Sequence, residues 1–168
     1  VSWIMSLLDK EPVKRAEKAL RDFDSKINVI ILEESARTAL DAANSLKCET
    51  GAIVKSLLFK AESKFFLCLV SGDRRCSINF LKKIVNIKDI SMASPDEVKT
   101  QTGYTIGGVS PVGHNNKIEI LIDNSLQRFN DLYAAAGHPN CVFKIDFKNL
   151  QKITNGKIKE LTEWDNQK

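Results

Sequence analysis

The run Ile53-Val54-Lys55-Ser56-Leu57-Leu58-Phe59 is followed, after a polar connection over 60–64, by Phe65-Phe66-Leu67-Cys68-Leu69-Val70. This pair decides how the chain reads. Two apolar segments of strand length, separated by a few polar residues, predict a β-hairpin at the centre of a sheet. Upstream, Pro12 suits the first turn of a helix whose apolar positions Val13, Ala16, Leu20 and Phe23 recur at helical spacing. Alternating Ile27, Val29 and Ile31 predict a strand. A second helix is expected from Ala36, Ala39, Leu40, Ala43 and Leu46, opening near Glu34 or Ser35, and Thr50-Gly51 gives a turn before the hairpin.

Downstream, Ile78, Leu81, Ile84 and Val85 suit a helix. Ser94-Pro95-Asp96-Glu97 predicts the start of another, with serine as N-cap, proline in the first turn and two acids near the positive end of the helix; Gly103 ends it. The segment 103–117 holds four glycines and Pro111 without helical or strand periodicity, which is long for a connection in a small domain and marks a functional loop. Strands are expected at 118–122 and 141–145, separated by a short helix at 125–129 and a turn over Ala136-Gly137-His138-Pro139-Asn140. A helix at 147–151 and a strand at 158–161 close the pattern. Helices and strands mix irregularly, so the expected class is α+β (mixed α/β) in one compact domain over 1–168, with no internal repeat or linker.

Composition narrows the function classes. With 168 residues, 43% apolar and 27% charged, the chain can bury a core, and 25 basic against 21 acidic residues leave +4. That balance excludes a disordered acidic tail or a polycation and permits a modest basic face. No stretch approaches the roughly 20 apolar residues of a membrane span, and residues 1–8 lack the layout of a signal peptide, so a cytoplasmic protein is expected. Residues 1–4 precede Met5 and are given no role. Cys48, Cys68, Cys76 and Cys141 lack zinc-binding spacing and are expected as free thiols, and the two histidines leave little material for a metal centre or a catalytic triad. No metal and no cofactor is expected.

The hairpin run with Lys55, then Val70-Ser71-Gly72-Asp73-Arg74-Arg75, then Gly103-Tyr104 leading to Gly107-Gly108-Val109-Ser110-Pro111, and finally Tyr133-Ala134-Ala135-Ala136-Gly137-His138-Pro139 together resemble the YbaK/EbsC family. That family is related to the insertion editing domain of bacterial prolyl-tRNA synthetase. The likeness runs from Ser35-Ala36-Arg37-Thr38-Ala39 to the last strand. It implies a mixed, partly barrel-like sheet flanked by helices. It also implies a free-standing deacylase that hydrolyses the ester between a wrong amino acid and its tRNA, most often tRNA for proline, acting in trans on the 3′ acceptor end. Prolyl-tRNA synthetase is then a further partner, with neither membrane nor DNA involved. A second sieve of this kind is needed because a binding pocket discriminates only about 1–3 kcal/mol per methylene.

Through the resemblance, Lys55 becomes the cation that holds the phosphate or ribose of the acceptor end, where composition alone would leave a snorkelling surface lysine. Gly107, with Gly108, Val109, Ser110 and Pro111, matches the Gly-x-x-x-Pro loop, whose amides can face a developing oxyanion. It lacks the Lys-Ser/Thr ending of a phosphate-cradling loop. Gly137 and His138 match a pocket-lining turn, with His138 contacting substrate or orienting water. Arg37 and Thr38, read as part of the second helix, and Ser56 shape the amino-acid pocket. Asp73-Arg74-Arg75 reads as a turn with an ion pair and a minor contact to the tRNA backbone. His114 is expected to be exposed or structural, and Cys76 and Ser110 lack a base partner. Two rivals remain open: a noncatalytic RNA- or protein-binding module of the same fold, and a small-molecule ester hydrolase.

Overall fold

The computed structural model describes residues 2–34 and 36–165. Ser35, one of the two expected helix caps, lies outside them, as does Val1. The elements in chain order are α1 (Ser2–Asp9), α2 (Glu11–Phe23), β1 (Ile30–Ile31), α3 (Ala39–Leu46), β2 (Ile53–Ala61), β3 (Lys64–Ser71), β4 (Arg74–Cys76), α4 (Ile78–Val85), β5 (Ile90–Met92), α5 (Pro95–Thr102), β6 (Glu119–Asp123), β7 (Leu132–His138), β8 (Cys141–Ile145), α6 (Phe147–Thr154), β9 (Lys157–Lys159) and β10 (Thr162–Trp164). Short 3-10 turns cover Thr50–Ala52 and Asn124–Arg128. The class is mixed α/β.

The hairpin is central, as its sequence predicts. β2 pairs β3 antiparallel from Val54 opposite Ser71 to Ala61 opposite Lys64, within the order β1-β8-β7-β2-β3-β6-β9. The other edge of β2 forks. It pairs β7 in parallel at Ile53 and Val54, and β5 antiparallel at Phe59 to Ala61. Among the described residues no strand continues along that edge over 55–57. One face of the hairpin, with Val54, Leu58, Leu67 and Leu69, packs against α2, α6 and the 103–117 loop; the other, with Phe59, Phe66, Cys68 and Val70, packs against Leu81 of α4 and Leu161. β4 and β10 form a separate antiparallel pair.

Local chemistry sets the helix ends. Pro12 lies in the first turn of α2, Glu11 and Arg21 complement its two ends, and Val13, Ala16 and Leu20 are fully buried. Burying Leu20 contributes about 2 kcal/mol. Ser94 caps α5 in a reciprocal capping box with Glu97, and Gly103 ends it in the left-handed conformation at φ 78°. Both features follow the sequence reading.

Several expectations need correction. α3 begins at Ala39 rather than near Glu34 or Ser35, because the Ala36 amide is tied to the Pro139 carbonyl and Thr38 Oγ1 caps the helix by accepting from the Asp41 amide. Arg37 and Thr38 therefore precede the helix. Phe23 and Leu40 are exposed rather than core. The strand expected over Ile27 to Ile31 is regular only at its last two residues, and the single terminal strand is two, β9 and β10. The 125–129 helix is a 3-10 turn pinned by Asp123, which accepts from the amide of Ser125 and, farther on, from that of Leu161. The turn over 136–140 is largely strand. β7 pairs β8 through a bulge between Ala135 and His138, and only Pro139-Asn140 turn the chain. α1 opens at Ser2, and its Leu7 is buried.

Of the two readings expected for His114, exposed or structural, the structure gives the second: the side chain is partly buried. Its Nε2 lies 2.7 Å from the Ser110 carbonyl oxygen, and its ring meets Tyr104 edge-on. Burial, and then the Arg15 charge, depress its pKa below the ordinary 6.5. The folded protein therefore resists the proton more than the unfolded chain does, so this group's contribution is complete above the unfolded value and is lost as pH falls through the depressed one. Melting temperature should fall as pH drops below the ordinary histidine value of about 6.5, and His114→Gln should flatten that slope; an unchanged slope would remove His114 as its source.

Candidate functional site

A cavity of about 1070 Å³ opens where the sheet forks. Lys55, Ser56, Leu57 and Leu58 of the bare β2 edge line one wall. Met92 and Ala93 close it beside β5, and Tyr133, Ala134 and Ala135 beside β7. Gly107 and Val109 bring in the glycine loop, and Arg37 and Thr38 the approach to α3. The walls are mostly apolar, with few polar groups, as small-molecule and cofactor sites generally are.

Lys55 is half-buried, and its Nζ donates to the Arg74 carbonyl oxygen at 2.7 Å. Arg74 is itself fixed, through Nε to Thr162 Oγ1 at 2.6 Å and through a terminal nitrogen to the Thr162 carbonyl at 3.0 Å. Burial lowers the Lys55 pKa, and the charges of Asp165, Cys76 and Asp73 oppose that shift. The ammonium is thus held in place with two carboxylates near it. Asp73 and Asp165 also line the cavity, and neither was singled out for it from the sequence. Burial alone would raise the Asp73 pKa; hydrogen bonds from Arg128 and Ser71 outweigh it and leave the carboxyl below its usual range. The ion pair expected at Asp73 exists, but with Arg128 at 2.7 Å, across 55 residues.

The neighbour of Lys55 carries a different signal. Ser56 Oγ is buried and, among the described residues, has no hydrogen-bond partner. An unmade bond of this kind costs about 1–3 kcal/mol.

The glycine loop is rigid despite its composition. Arg15 of α2 donates to the Gly113 carbonyl at 2.6 Å and to the Gly103 carbonyl at 2.9 Å, with its guanidinium 4.5 Å from the centre of the Tyr104 ring. Tyr104 is fully buried and its hydroxyl donates to the Val112 carbonyl at 2.7 Å. Within the loop the members of the motif divide. Gly107 and Val109 face the cavity, whereas Ser110 is fully buried, with its hydroxyl accepting from the Val112 amide at 3.3 Å, and Pro111 is buried. Gly108 is a contact point: a Cβ there would lie 2.9 Å from the His138 backbone.

Gly137 and His138 stand behind that contact. Gly137 has φ 92°, and a Cβ would come within 2.6 Å of the Pro12 carbonyl oxygen, so only glycine lets β7 approach the start of α2. His138 Nδ1 accepts from the Asn140 amide at 3.0 Å, and burial, then the Lys10 charge, lower its pKa. The ring is therefore neutral near pH 7. Sequence reasoning missed Arg15, because a clamp spanning 98 residues leaves no local pattern.

Fold and cavity together define a mixed α/β domain with a polar-marked apolar pocket at a split in its sheet. The chain belongs to the aminoacyl-tRNA editing domain family, whose sequence profile matches residues 33–153. It is 32% identical over 132 residues to YwhH, an uncharacterized protein of Bacillus subtilis, covering 78% of this chain and 83% of that protein. It is 33% identical over 119 residues to the proline–tRNA ligase of Kosmotoga olearia, covering 71% of this chain but only 19% of the ligase. The crystal structure of a proposed trans-editing enzyme for prolyl tRNA synthetase superposes with a TM-score of 0.87 at 35% identity, covering 92% of this chain and 98% of that one. Among the described residues, no helix is long and apolar enough to cross a membrane.

Two substitutions check this geometry. Ser56→Ala removes an unpaired buried hydroxyl, so the melting temperature of the ligand-free protein should hold or rise; a clear drop would reveal a partner for Oγ. Gly137→Ala should cost about 2 kcal/mol or more in urea unfolding, and more than Gly107→Ala, since both have positive φ but only position 137 also meets backbone.

Proposed function

We propose that this chain is a trans-editing hydrolase that deacylates misacylated tRNA, above all mischarged tRNA for proline, by attack of a positioned water on the aminoacyl ester. The observation that carries the reading is the placement of a fixed Lys55 on the same cavity as Gly107 and Val109. Family membership supports it, and a volume of about 1070 Å³ suits an aminoacyl group together with its terminal nucleoside. In the cytoplasm the protein corrects errors of prolyl-tRNA synthetase. It needs no cofactor for this reaction.

In this reading the Lys55 ammonium binds the phosphate or ribose next to the ester and sets its position relative to the loop. Water oxygen bonds to the ester carbonyl carbon, the bond from that carbon to the ribose oxygen breaks, and the proton of the water passes to the ribose. Free amino acid and intact tRNA result. The developing oxyanion needs amide donors. The Gly108 amide is engaged with the Thr105 carbonyl at 3.0 Å, so Gly107 and Val109 are assigned that role. Gly137 and His138 act by positioning, because they form the surface on which Gly108 rests. Ser56, Thr38 and Arg37 bound the amino-acid side of the cavity.

The decisive experiment incubates the protein with tRNA charged with Ala, Cys, Ser, Thr or Pro and follows loss of the ester. Hydrolysis of at least one mischarged tRNA is expected, with Lys55→Ala slower by about 100-fold or more at unchanged melting temperature. Full activity of Lys55→Ala would take the lysine out of the mechanism. No hydrolysis of any pair would leave a binding module of the same fold, and equal turnover of free amino-acid esters would point to a small-molecule hydrolase.

A further inference from the structure

Outside the cavity, one exposed cluster has chemistry that the proposed reaction does not use. Trp164, in β10, is 55% exposed and pairs in register with Arg74 of β4. The Arg74 guanidinium carbon lies 4.4 Å from the centre of the indole, and that of Arg128 lies 5.1 Å from it and 4.8 Å from the Phe129 ring. Neither guanidinium is loose. Arg74 is held by its two bonds to Thr162, and Arg128 donates to both Asp73 carboxylate oxygens at 2.7 and 3.0 Å, to Ser71 Oγ at 2.9 Å and to the Ser125 carbonyl at 2.8 Å.

We propose that Trp164, with the guanidinium groups of Arg74 and Arg128, is a stacking platform for the unpaired nucleobases that lead to the charged 3′ ribose of tRNA. Aromatic rings and arginine planes are the surfaces on which splayed RNA bases stack, and the Arg74 guanidinium also favours the adjoining phosphates, whereas that of Arg128 is paired with Asp73. The position fits. Asp73 and Asp165, chain neighbours of Arg74 and Trp164, line the cavity, and the Arg74 carbonyl is the group that holds Lys55. The cluster is thus one residue along the chain from two residues of the cavity wall. The Arg74 guanidinium donates to Thr162 Oγ1 and to the Thr162 carbonyl. The platform rests on the editing reading above, since it takes the strand that reading supplies.

The test compares a 5′-labelled RNA hairpin carrying the unpaired 3′ tail of tRNA with the same hairpin whose tail bases are replaced by abasic ribose, using the full chain and fluorescence anisotropy. The wild type should bind the base-bearing tail about ten-fold more tightly. Trp164→Ala should lose that preference, and Trp164→Phe, which keeps a ring, should retain most of it. A cluster that merely pins β10 to β4 would lower the melting temperature of Trp164→Ala without changing the preference, and that outcome overturns the proposal. So does equal binding of the two hairpins by the wild type, a comparison that needs no variant to fold. Ester hydrolysis of charged tRNA by the wild type is read separately. Hydrolysis without base preference sinks the platform and leaves the editing reading standing, whereas neither hydrolysis nor RNA binding sinks both.

Discussion

The fork along β2 is the constraint on which the rest of the structure turns. A central strand ordinarily has neighbours on both edges, because its backbone groups need partners. Here β7 leaves after Val54 and β5 arrives only at Phe59, so the intervening edge borders a cavity instead of a strand. Lys55 and Ser56 fall in that gap. On an alternating strand they face opposite sides: the lysine lies over β4, where it finds the Arg74 carbonyl, and the serine lies among the residues that leave its hydroxyl without a partner. The glycine loop and β7 then complete a pocket that the split has already opened.

What holds the pocket in shape lies mostly away from its wall. Arg15 ties both ends of the glycine loop to α2, and Tyr104 fills the space beneath it. Gly108 rests on the His138 backbone, and Gly137 lets that backbone approach α2. The motif glycines therefore have distinct duties: one faces the cavity and two allow main chains to touch. Preorganisation of this kind matters for ester hydrolysis, because donors that are already oriented pay no reorganisation cost as charge develops.

The sequence made the hairpin, the Ser94 capping box, the helices at Pro12 and Ile78 and the irregular loop legible, because each has a local cause in spacing, capping or glycine content. Lys55 was singled out through family likeness, since a lysine on a strand has no local mark of function. β7 was obscured for a physical reason. Its Ala134-Ala135-Ala136 has no intrinsic strand preference, and its state is decided by pairing with β8 and β2 far away in the chain. Arg15, the Arg128 to Asp73 pair and the Trp164 cluster were invisible for the same reason. Each joins segments 55 to 98 residues apart or depends on the β4 to β10 pairing.

The Arg15 clamp has a consequence for how such a domain can change. The family profile spans residues 33–153, so α2 on one side and β10 on the other lie outside the matched region. Yet α2 supplies the arginine that braces the glycine loop, and β10 supplies the threonine that anchors Arg74 and, through its carbonyl, Lys55. The flanks therefore brace the chamber, and the C-terminal one also contributes Asp165 to its wall. A change in either can act on the loop or on the lysine while every residue that the profile matches stays the same.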